Sequence, residues 1–513
     1  MQRSDKNRFG FVDKHLILLG IVIGIGFLVR FYYFPYEIPI TLDGFRYLLY
    51  AMDTTVLGHL PTHYTFPNNG WSLVLSFFFS ILRFESYTDY NTLARVLSVV
   101  FSVLTAVPTY FLCKKYFNRS LAIIGSLLFV LAPRVVQNSL GGITDPLFIF
   151  LTTTSVALFL AEGKKTYISF FVLALSALVR YESLLLIIPF VALFIIKRRS
   201  DSKIILKCLM ILAIFVITLM PLAYLRIEAT GQDGLLSHVL GGAKVTVTDG
   251  SILNKGDTKF SLQSGISNLI KYLGMTSLPI LFAFIPFGLY IFFKKKNYDV
   301  MALCMISIFM LLPAVYAYGR GFQDTRYVFV ILPIASIIAL YSVEKIIKLT
   351  KKQNVVLVTI FVTVVILGVG YLDFKKIDYD HEREAIRLSM FLSGLDGTIN
   401  EFDSESTYVE TAAFHKTKLP ILSTTIDHGP RVIPFKEKSI KDGIKNGREK
   451  GLSYLVADSL NTKPNRNPIL NDVFYHEKKY PYLEKIFDSS EHGYKYHVKV
   501  FKIDYDKFDA ISK

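Results

Sequence analysis

The stretch IPITLDGFRYLLY (Ile38–Tyr50) follows the first long apolar segment of the chain and places one acidic residue, Asp43, beside a membrane surface. Asp43 opens an amphipathic stretch, where an acidic side chain suits the N-terminus of a helix. It is therefore either a helix cap or a candidate catalytic base. The choice depends on which side of the membrane Asp43 faces and on the residues that accompany it.

The composition is typical of a membrane protein that crosses the bilayer several times. The 513 residues are 52% hydrophobic and 14% aromatic, with a mean hydropathy of +0.41, which is too apolar for an ordinary soluble protein. The formal net charge is +16, but Lys and Arg occur in short clusters between apolar runs. That pattern indicates membrane topology rather than nucleic-acid binding.

The three cysteines exclude two kinds of site. Cys113, Cys208 and Cys304 all lie in or at the edge of apolar segments, and the polar C-terminal region contains none. Neither a disulfide framework nor a cysteine-based metal site is expected.

The first apolar run, near residues 15–34, is too long for a signal-peptide core and lacks a small-residue cleavage site, so we expect a retained span. Basic residues before it place the N-terminus in the cytoplasm. About eleven spans are predicted, each needing about twenty apolar residues. The ten after the first are Leu93–Cys113, Leu121–Pro133, Pro146–Ala161, Tyr167–Leu178, Leu184–Ile196, Ile204–Tyr224, Met275–Phe293, Met301–Tyr318, Tyr327–Ser342 and Val355–Tyr371.

One short apolar segment decides the orientation of these spans. Gly70–Leu82 is too short for a confident span, and we interpret it as a helix on or in the outer leaflet. The following span then ends in the cytoplasm at Lys114 and Lys115, as the positive-inside rule requires. If the segment crossed instead, these lysines would face outward, and Asp43 and Asp145 would lie on opposite sides of the membrane.

The composition becomes charged and polar from about Asp373. We therefore predict a transmembrane α-helical domain over residues 1–372 and a separate α/β domain outside the cytoplasm over residues 373–513, long enough for its own core. Strand candidates are LSYLVADS and YHVKVFKID; helix candidates are HEREAIRLSMFLSG and EKSIKDGIKNGREKG.

Asp145 is the second acid of interest. It stands in GGITDPLFIFL, immediately before a proline at the first helical position, a pattern that is also typical of a helix N-cap. Ionisable residues next to hydrocarbon are costly and are functional hypotheses by default. Asp43 and Asp145 begin outward-facing segments about a hundred residues apart.

That arrangement resembles the GT-C membrane glycosyltransferases, and among them the protein O-mannosyltransferase and aminoarabinose-transferase branch, in an archaeal or bacterial member. The resemblance covers about residues 10–375. The matching pieces are LDGFRYLLYA, the helix after FPNNGW, ARVLSVVFSVLTAVPTYFLCKKYF, ITDPLFIFL, ALVRYESLLLIIPF and DTRYVFVILPIASI.

The resemblance implies an enzyme of the cell membrane that moves a sugar from a polyprenyl-phosphate donor to an acceptor outside the cytoplasm. The acceptor is a protein, a lipid-linked glycan or a lipid. Asp43 would be the base and the anomeric configuration would invert. Asp145 would orient the acceptor, share a metal or hold the first loop.

Arginines near the outer surface are the candidates for the donor phosphate, because guanidinium groups bind phosphate through paired donors. They are Arg180, Arg320 and Arg326. The alternative is that they anchor the chain at the interface or pair with Glu182 or Asp324. Weaker substrate-binding candidates are Arg46, Tyr181, Glu182 and Tyr327.

The metal requirement stays open. If a divalent cation binds, Asp43, Asp145 and His63 are its candidate ligands. Aminoarabinose transferases carry a Glu-Lys pair before the interfacial helix, whereas this chain has HYTFPNNG there. His59 and His63 could replace a ligand, but no carboxylate triad accompanies them.

Two other functions remain in view. A transporter or flippase of lipid-linked glycans would predict charges in mid-span and internal symmetry, whereas the charges here concentrate at the predicted outer face. Transfer of a whole oligosaccharide is disfavoured, because the WWDYG motif is absent and Trp71 is the only tryptophan.

Overall fold

A computed structural model describes residues 14–64, 66, 68–161, 163–247, 260–376, 379–402, 408–426, 429–458 and 468–512. The chain divides into two compact units. The first comprises Met1–Phe34, Leu57–Phe77 and Leu93–Lys376; the second comprises Pro35–Val56, Phe78–Thr92 and Ile377–Lys513. The predicted domain boundary after residue 372 stays a prediction. The second unit takes in two segments from before that boundary, Pro35–Val56 and Phe78–Thr92.

Helices dominate the chain up to residue 376. They are α1 (Lys14–Tyr32), α2 (Leu42–Leu57), α3 (Gly70–Ile81), α4 (Tyr87–Leu104), α5 (Ala106–Lys114), α6 (Arg119–Val130), α7 (Pro133–Ser139), α8 (Asp145–Ala161), α9 (Lys165–Val179), α10 (Ile187–Lys197), α11 (Ile204–Thr230), α12 (Leu236–Val247), α13 (Leu262–Ser277), α14 (Ile285–Lys294), α15 (Tyr298–Gly319), α16 (Leu332–Thr350) and α17 (Gln353–Phe374). Two 3₁₀ turns, Tyr181–Leu186 and Thr325–Ile331, lead into α10 and α16.

The apolar helices fit a multi-pass membrane protein. Within the described residues, six are long and apolar enough to cross a bilayer, or seven if α6 and α7, bent by 56°, form one broken span. Four shorter apolar helices, α3, α8, α9 and α14, accompany them. Every predicted span overlaps a helix, with Leu184–Ile196 overlapping α10, and the total of eleven stays a prediction.

Helix α3 is the segment on which the predicted orientation of the spans depends. It has twelve residues, about 18 Å at 1.5 Å per residue, against about 30 Å of hydrocarbon. Its start is fixed where α9 ends: a Cβ on Gly70 would lie 2.6 Å from the Leu178 carbonyl oxygen, and buried Trp71 donates from Nε1 to Gly142 O at 2.9 Å.

The next helix begins at the same end of the bundle. Arg95, two turns into α4, donates from Nε to Leu140 O at 2.9 Å, close in sequence to the carbonyl that Trp71 binds. The chain therefore enters and leaves the α3 segment at one end of the first unit. The placement of α3 along the membrane rather than across it stays a prediction.

A buried arginine, Arg30, joins four parts of the helical bundle. Its Nε donates to Ser139 Oγ at 3.0 Å and its Nη2 to Ser102 Oγ at 2.9 Å. Its Nη1 donates to the carbonyls of Gly26 and Val130, each at 3.1 Å. A buried guanidinium is tolerated only when its donors are satisfied, so Arg30 ties α1 to α4, α6 and α7.

The C-terminal part of the chain contains a small sheet with helices. Its elements are α18 (Tyr379–Leu392), β1 (Thr398–Asn400), α19 (Val409–His415), β2 (Arg431–Ile433), α20 (Ile440–Arg448), β3 (Leu452–Asp458), α21 (Ile469–Tyr475), β4 (Leu483–Asp488), β5 (Val498–Ile503) and α22 (Tyr505–Ser512). The two strand and two helix candidates correspond to β3, β5, α18 and α20. The strand order in the sheet is β2-β1-β3-β5-β4.

The sheet is mixed and covered on both faces. Strands β1, β2 and β3 run parallel, whereas β5 pairs antiparallel with β3 and β4. On β3, Leu455 and Ala457 pack into one core cluster, together with α20, α21 and α22. The intervening Val456 packs into the other, together with α18. This alternation is what a strand between two apolar layers requires.

Helix α2 belongs to this second unit because of what its buried face contacts. The Asp53 carboxylate is fully buried and accepts hydrogen bonds from Ser423 N at 2.7 Å and Ser423 Oγ at 2.5 Å. About two turns nearer the start of α2, the ring of Phe45 meets that of Phe414 edge-on, with centroids 5.4 Å apart. The helix that carries Asp43 is thus fastened to the C-terminal part of the chain.

Candidate functional site

The clearest concentration of charged groups lies where α8 begins and α9 ends. A short connection makes these helices an antiparallel pair, so Asp145 at the start of α8 meets Arg180 just after α9. Arg180 takes an extended conformation, with φ −143°, which ends the helix. Its Nη1 donates to Asp145 Oδ1, and its Nη2 donates to Glu182 Oε1 at 2.8 Å.

These side chains are shielded from solvent. Asp145 is 2% exposed and Arg180 is 8% exposed. The Arg180 guanidinium also lies 5.4 Å from the ring centre of Phe148 and 5.9 Å from that of Tyr327. A guanidinium held by two carboxylates and two aromatic rings has a fixed position.

A second arginine faces the same cleft from the turn before α16. Asp324 caps this turn by accepting from Arg326 N at 2.9 Å, and its other oxygen lies 2.8 Å from Arg326 Nε. The cleft is narrow, with a cavity volume of about 20 Å³. Its lining residues are Asp145, Phe148, Ile149, Arg180, Glu182, Met310, Pro313, Arg326, Tyr327 and Val330.

The structure therefore brings together five of the predicted site residues, namely Asp145, Arg180, Glu182, Arg326 and Tyr327. It also realises the pairings considered as alternatives, because Arg180 contacts Glu182 and Arg326 contacts Asp324. Arg320, which follows the last residue of α15 and is half-buried, does not line this cleft.

Two buried carboxylate oxygens at this site are available to a ligand. Asp145 Oδ2 and Glu182 Oε2 accept no hydrogen bond from the residues that the structure describes. A buried acceptor without a donor costs free energy. A sugar hydroxyl or a cation would therefore be favoured there.

Neighbouring groups outside the cleft extend the site. The Tyr181 ring lies 5.4 Å from the ring of His238 on α12. Burial lowers the pKa of His238, and the nearby Arg226 lowers it further. Arg226, at the end of α11, is 3% exposed and donates to Phe66 O at 3.2 Å.

Sequence reasoning missed Arg226 and His238 as neighbours of this cluster. Arg226 ends the apolar run of α11, and a charge at that point is a detectable signal. His238 lies in a loop-like stretch, and only the folded contact with Tyr181 gives it significance.

Asp43 occupies the first turn of α2, as predicted, and is half-buried. Arg46, one turn later, is exposed. Both belong to the second unit, whereas Asp145 and the arginines of the cleft belong to the first. His59 and His63 follow α2 and are exposed.

No group of three or more His, Cys, Asp or Glu side chains within the described residues is arranged to hold a metal ion. Asp145 and Glu182 supply two carboxylates, fewer oxygen ligands than calcium or magnesium usually takes. The metal set of Asp43, Asp145 and His63 stays a prediction.

Solved structures with the same architecture exist. ArnT from Cupriavidus metallidurans bound to undecaprenyl phosphate aligns with a TM-score of 0.58 at 9% identity, over 95% of this chain and 98% of that one. The Archaeoglobus fulgidus oligosaccharyltransferase in complex with zinc and sulfate aligns with a TM-score of 0.57 at 13% identity, over 86% and 68%. The chain has the GT-C glycosyltransferase fold.

Sequence comparison adds a match over part of the chain. Residues 71–224 match the family described as dolichyl-phosphate-mannose-protein mannosyltransferase. Archaeoglobus fulgidus AglB in complex with an inhibitory peptide and a dolichol phosphate also aligns, with a TM-score of 0.52 at 12% identity, over 87% of this chain and 69% of that one. No curated protein sequence matched the chain.

Proposed function

We propose that this protein transfers a single sugar from a polyprenyl-phosphate donor to an acceptor outside the cytoplasm. The GT-C fold and the mannosyltransferase match over residues 71–224 support a glycosyltransferase. ArnT binds undecaprenyl phosphate and AglB binds dolichol phosphate. A donor of that chemistry keeps its lipid in the bilayer and presents its sugar at the surface.

The single observation that carries the proposal is the cleft that joins Asp145, Arg180, Glu182 and Arg326. Two guanidinium groups there would bind the donor phosphate and stabilise the charge that develops as it leaves. Asp145 and Glu182 hold Arg180 in place. Their remaining oxygens would accept hydrogen bonds from sugar hydroxyls.

Asp43 acts as the general base in this proposal. The acceptor hydroxyl gives its proton to Asp43 as its oxygen forms a bond to the anomeric carbon. The bond from that carbon to the phosphate oxygen breaks, and polyprenyl phosphate leaves with the electron pair. A single displacement of this kind inverts the configuration at the anomeric carbon.

The membrane orientation is part of the proposal. The N-terminus lies in the cytoplasm, and the C-terminal α/β part lies outside it. A cysteine introduced at Asn118, which follows α5, is expected to react with a membrane-impermeant thiol reagent only after the membrane is opened. Labelling from outside in intact cells would contradict this orientation.

The function is tested by comparing extracted lipids and glycoproteins from cells with and without the gene by mass spectrometry. We expect one sugar to be absent from one class of glycoconjugate in the deletion strain and to return with the wild-type gene. A donor lipid that accumulates at the same time would identify the substrate. Unchanged glycoconjugates, with a lipid-linked glycan trapped on the cytoplasmic side, would favour a flippase instead.

A further inference from the structure

A basic cavity lies at the end of the helical bundle opposite the Asp145 cleft. Helix α8 connects the two, since Asp145 begins it and Leu160 is near its end. Fifteen residues at 1.5 Å separate them by about 22 Å along the axis. The cavity and the cleft are therefore distinct sites.

The cavity is open and has a volume of about 200 Å³. The ends of α5, α8 and α10 and the beginnings of α9 and α15 meet around it. Its lining includes Lys115, Lys197, Arg198, Tyr298, Phe194 and Leu160. Among the described lining residues there are three cations and no carboxylate.

One acid approaches this cluster from outside the lining. Asp299 lies 3.5 Å from Lys115 Nζ, and the same Nζ donates to Leu160 O at 2.8 Å. Lys197 Nζ lies 4.8 Å from the ring centre of Tyr298. Among the described residues, three cations line the cavity, and Asp299 contacts one of them from outside the lining.

Arg198 provides the observation that points to a ligand. Its guanidinium carbon lies 4.3 Å from the ring centre of Phe194 and 5.6 Å from that of Tyr167. Its Nη1 is buried and donates no hydrogen bond to the described residues. A buried charged donor left without an acceptor is costly, and an anion in the cavity would supply that acceptor.

Helix dipoles account for only part of this cluster. Cations are favoured at helix C-termini, which explains Lys115 beside the end of α8 and Lys197 in the last turn of α10. The helix dipoles do not explain why Arg198 holds its Nη1 buried, without an acceptor among the described residues and close to two aromatic rings.

We propose that this cavity binds the phosphate of an anionic phospholipid headgroup. The cations would hold the phosphate, while the apolar walls formed by Leu160, Leu193 and Phe194 would contact the glycerol and the start of the acyl chains. Basic pockets between membrane helices bind anionic headgroups in this way. The site is independent of the sugar donor.

The test uses the full chain, purified in a neutral detergent and stripped of lipid. Phosphatidylglycerol, phosphatidylcholine and inorganic phosphate are titrated separately, with thermal unfolding and native mass spectrometry as readouts. We expect a saturable rise in Tm and a retained lipid with phosphatidylglycerol alone. Arg198→Gln is expected to raise the half-saturating concentration by about tenfold.

Arg199→Gln is the matched control, because Arg199 is exposed and does not line the cavity. It removes the same charge and is expected to leave the titration unchanged. Lys197→Gln is the second cavity variant if Arg198→Gln does not fold. Equal losses in the cavity variant and in Arg199→Gln would overturn the proposal, as would equal binding of phosphatidylcholine. Saturation by inorganic phosphate at the same concentration would show a free-anion site instead of a lipid site.

Discussion

Asp43 and Asp145 are both acids at helix starts, yet their surroundings differ sharply. Asp145 is 2% exposed, and one of its oxygens accepts from Arg180. Asp43 is half-buried on helix α2, which contacts the C-terminal part of the chain through Asp53 and Phe45. A carboxylate that is paired with a buried arginine is suited to holding that arginine in position. A partly exposed carboxylate can instead contact the hydroxyl of an acceptor. In the proposed function, Asp43 therefore takes the proton and Asp145 positions the phosphate-binding arginine.

The largest effect is expected for Asp43→Asn. Asparagine keeps the shape and the helix-capping capacity of aspartate but cannot take a proton. Sugar transfer is expected to fall by about 10²-fold or more, while binding of polyprenyl phosphate stays unchanged. Asp89→Asn, which alters an exposed acid of the same unit, is the control in the same turnover assay and should retain its rate. Near-normal turnover of Asp43→Asn would remove Asp43 as the base.

Arg180→Gln is expected to weaken binding of the donor phosphate more than it slows the transfer step. Loss of a charge-assisted hydrogen bond is expected to weaken donor-phosphate affinity by about 10-fold to 100-fold. Arg180→Lys keeps the charge but loses the planar fork, so it should recover only part of the affinity. Titration with a polyprenyl phosphate and measurement of its Kd check this order. Full recovery by lysine would mean that charge alone matters.

Asp145→Asn is expected to have a smaller effect than Arg180→Gln. It weakens the contact that fixes Arg180 but leaves Glu182 in place. We expect about a tenfold rise in the KM for the donor, with kcat changed less. Steady-state kinetics with the donor varied separate the two parameters. A fall in kcat with KM unchanged would instead make Asp145 part of the chemistry.

The attachment of α2 is tested through stability. Asp53→Ala would leave the N–H and the hydroxyl of Ser423 without their acceptor. The free energy of unfolding should fall by about 1–3 kcal/mol, measured by denaturant titration. Asp396→Ala, at an exposed turn of the same unit, should change little. An equal loss of unfolding free energy in both variants would show that the Asp53–Ser423 contact does not stabilise the fold specifically.

A smaller, pH-dependent effect is expected in the same unit. Burial lowers the pKa of His415, and its Nε2 has no hydrogen-bond partner among the described residues. The unfolded chain therefore binds this proton more readily than the folded one. Stability should be complete above about pH 6.5 and decline as the pH falls below that value. His415→Phe should flatten the dependence of Tm on pH, whereas exposed His492→Phe should preserve it.

The sequence predicted the features that local patterns determine. The apolar runs located the helices, the positions of LSYLVADS and YHVKVFKID located β3 and β5, and the length of Gly70–Leu82 identified a helix too short to cross. Asp145, Arg180 and Arg326 were also selected from sequence, because charges beside hydrocarbon are rare and costly.

The remaining features depend on contacts between distant parts of the chain. The short strands β1 and β2 have three residues each, too few for a periodic signal. The pairing of Asp53 with Ser423 spans 370 residues. Membership of α2 in the second unit follows from that contact and from the aromatic packing of Phe45, and neither is visible in local sequence.

The most direct test of the division between the two acids is a single-turnover measurement on enzyme already loaded with donor. The rate of sugar transfer is recorded after acceptor is added to the wild type, Asp43→Asn and Asp145→Asn, each saturated with donor. We expect the loaded Asp43→Asn enzyme to be slowed by about 10²-fold or more, while the loaded Asp145→Asn enzyme remains close to wild type. A slow loaded Asp145→Asn enzyme beside a normal Asp43→Asn enzyme would contradict it.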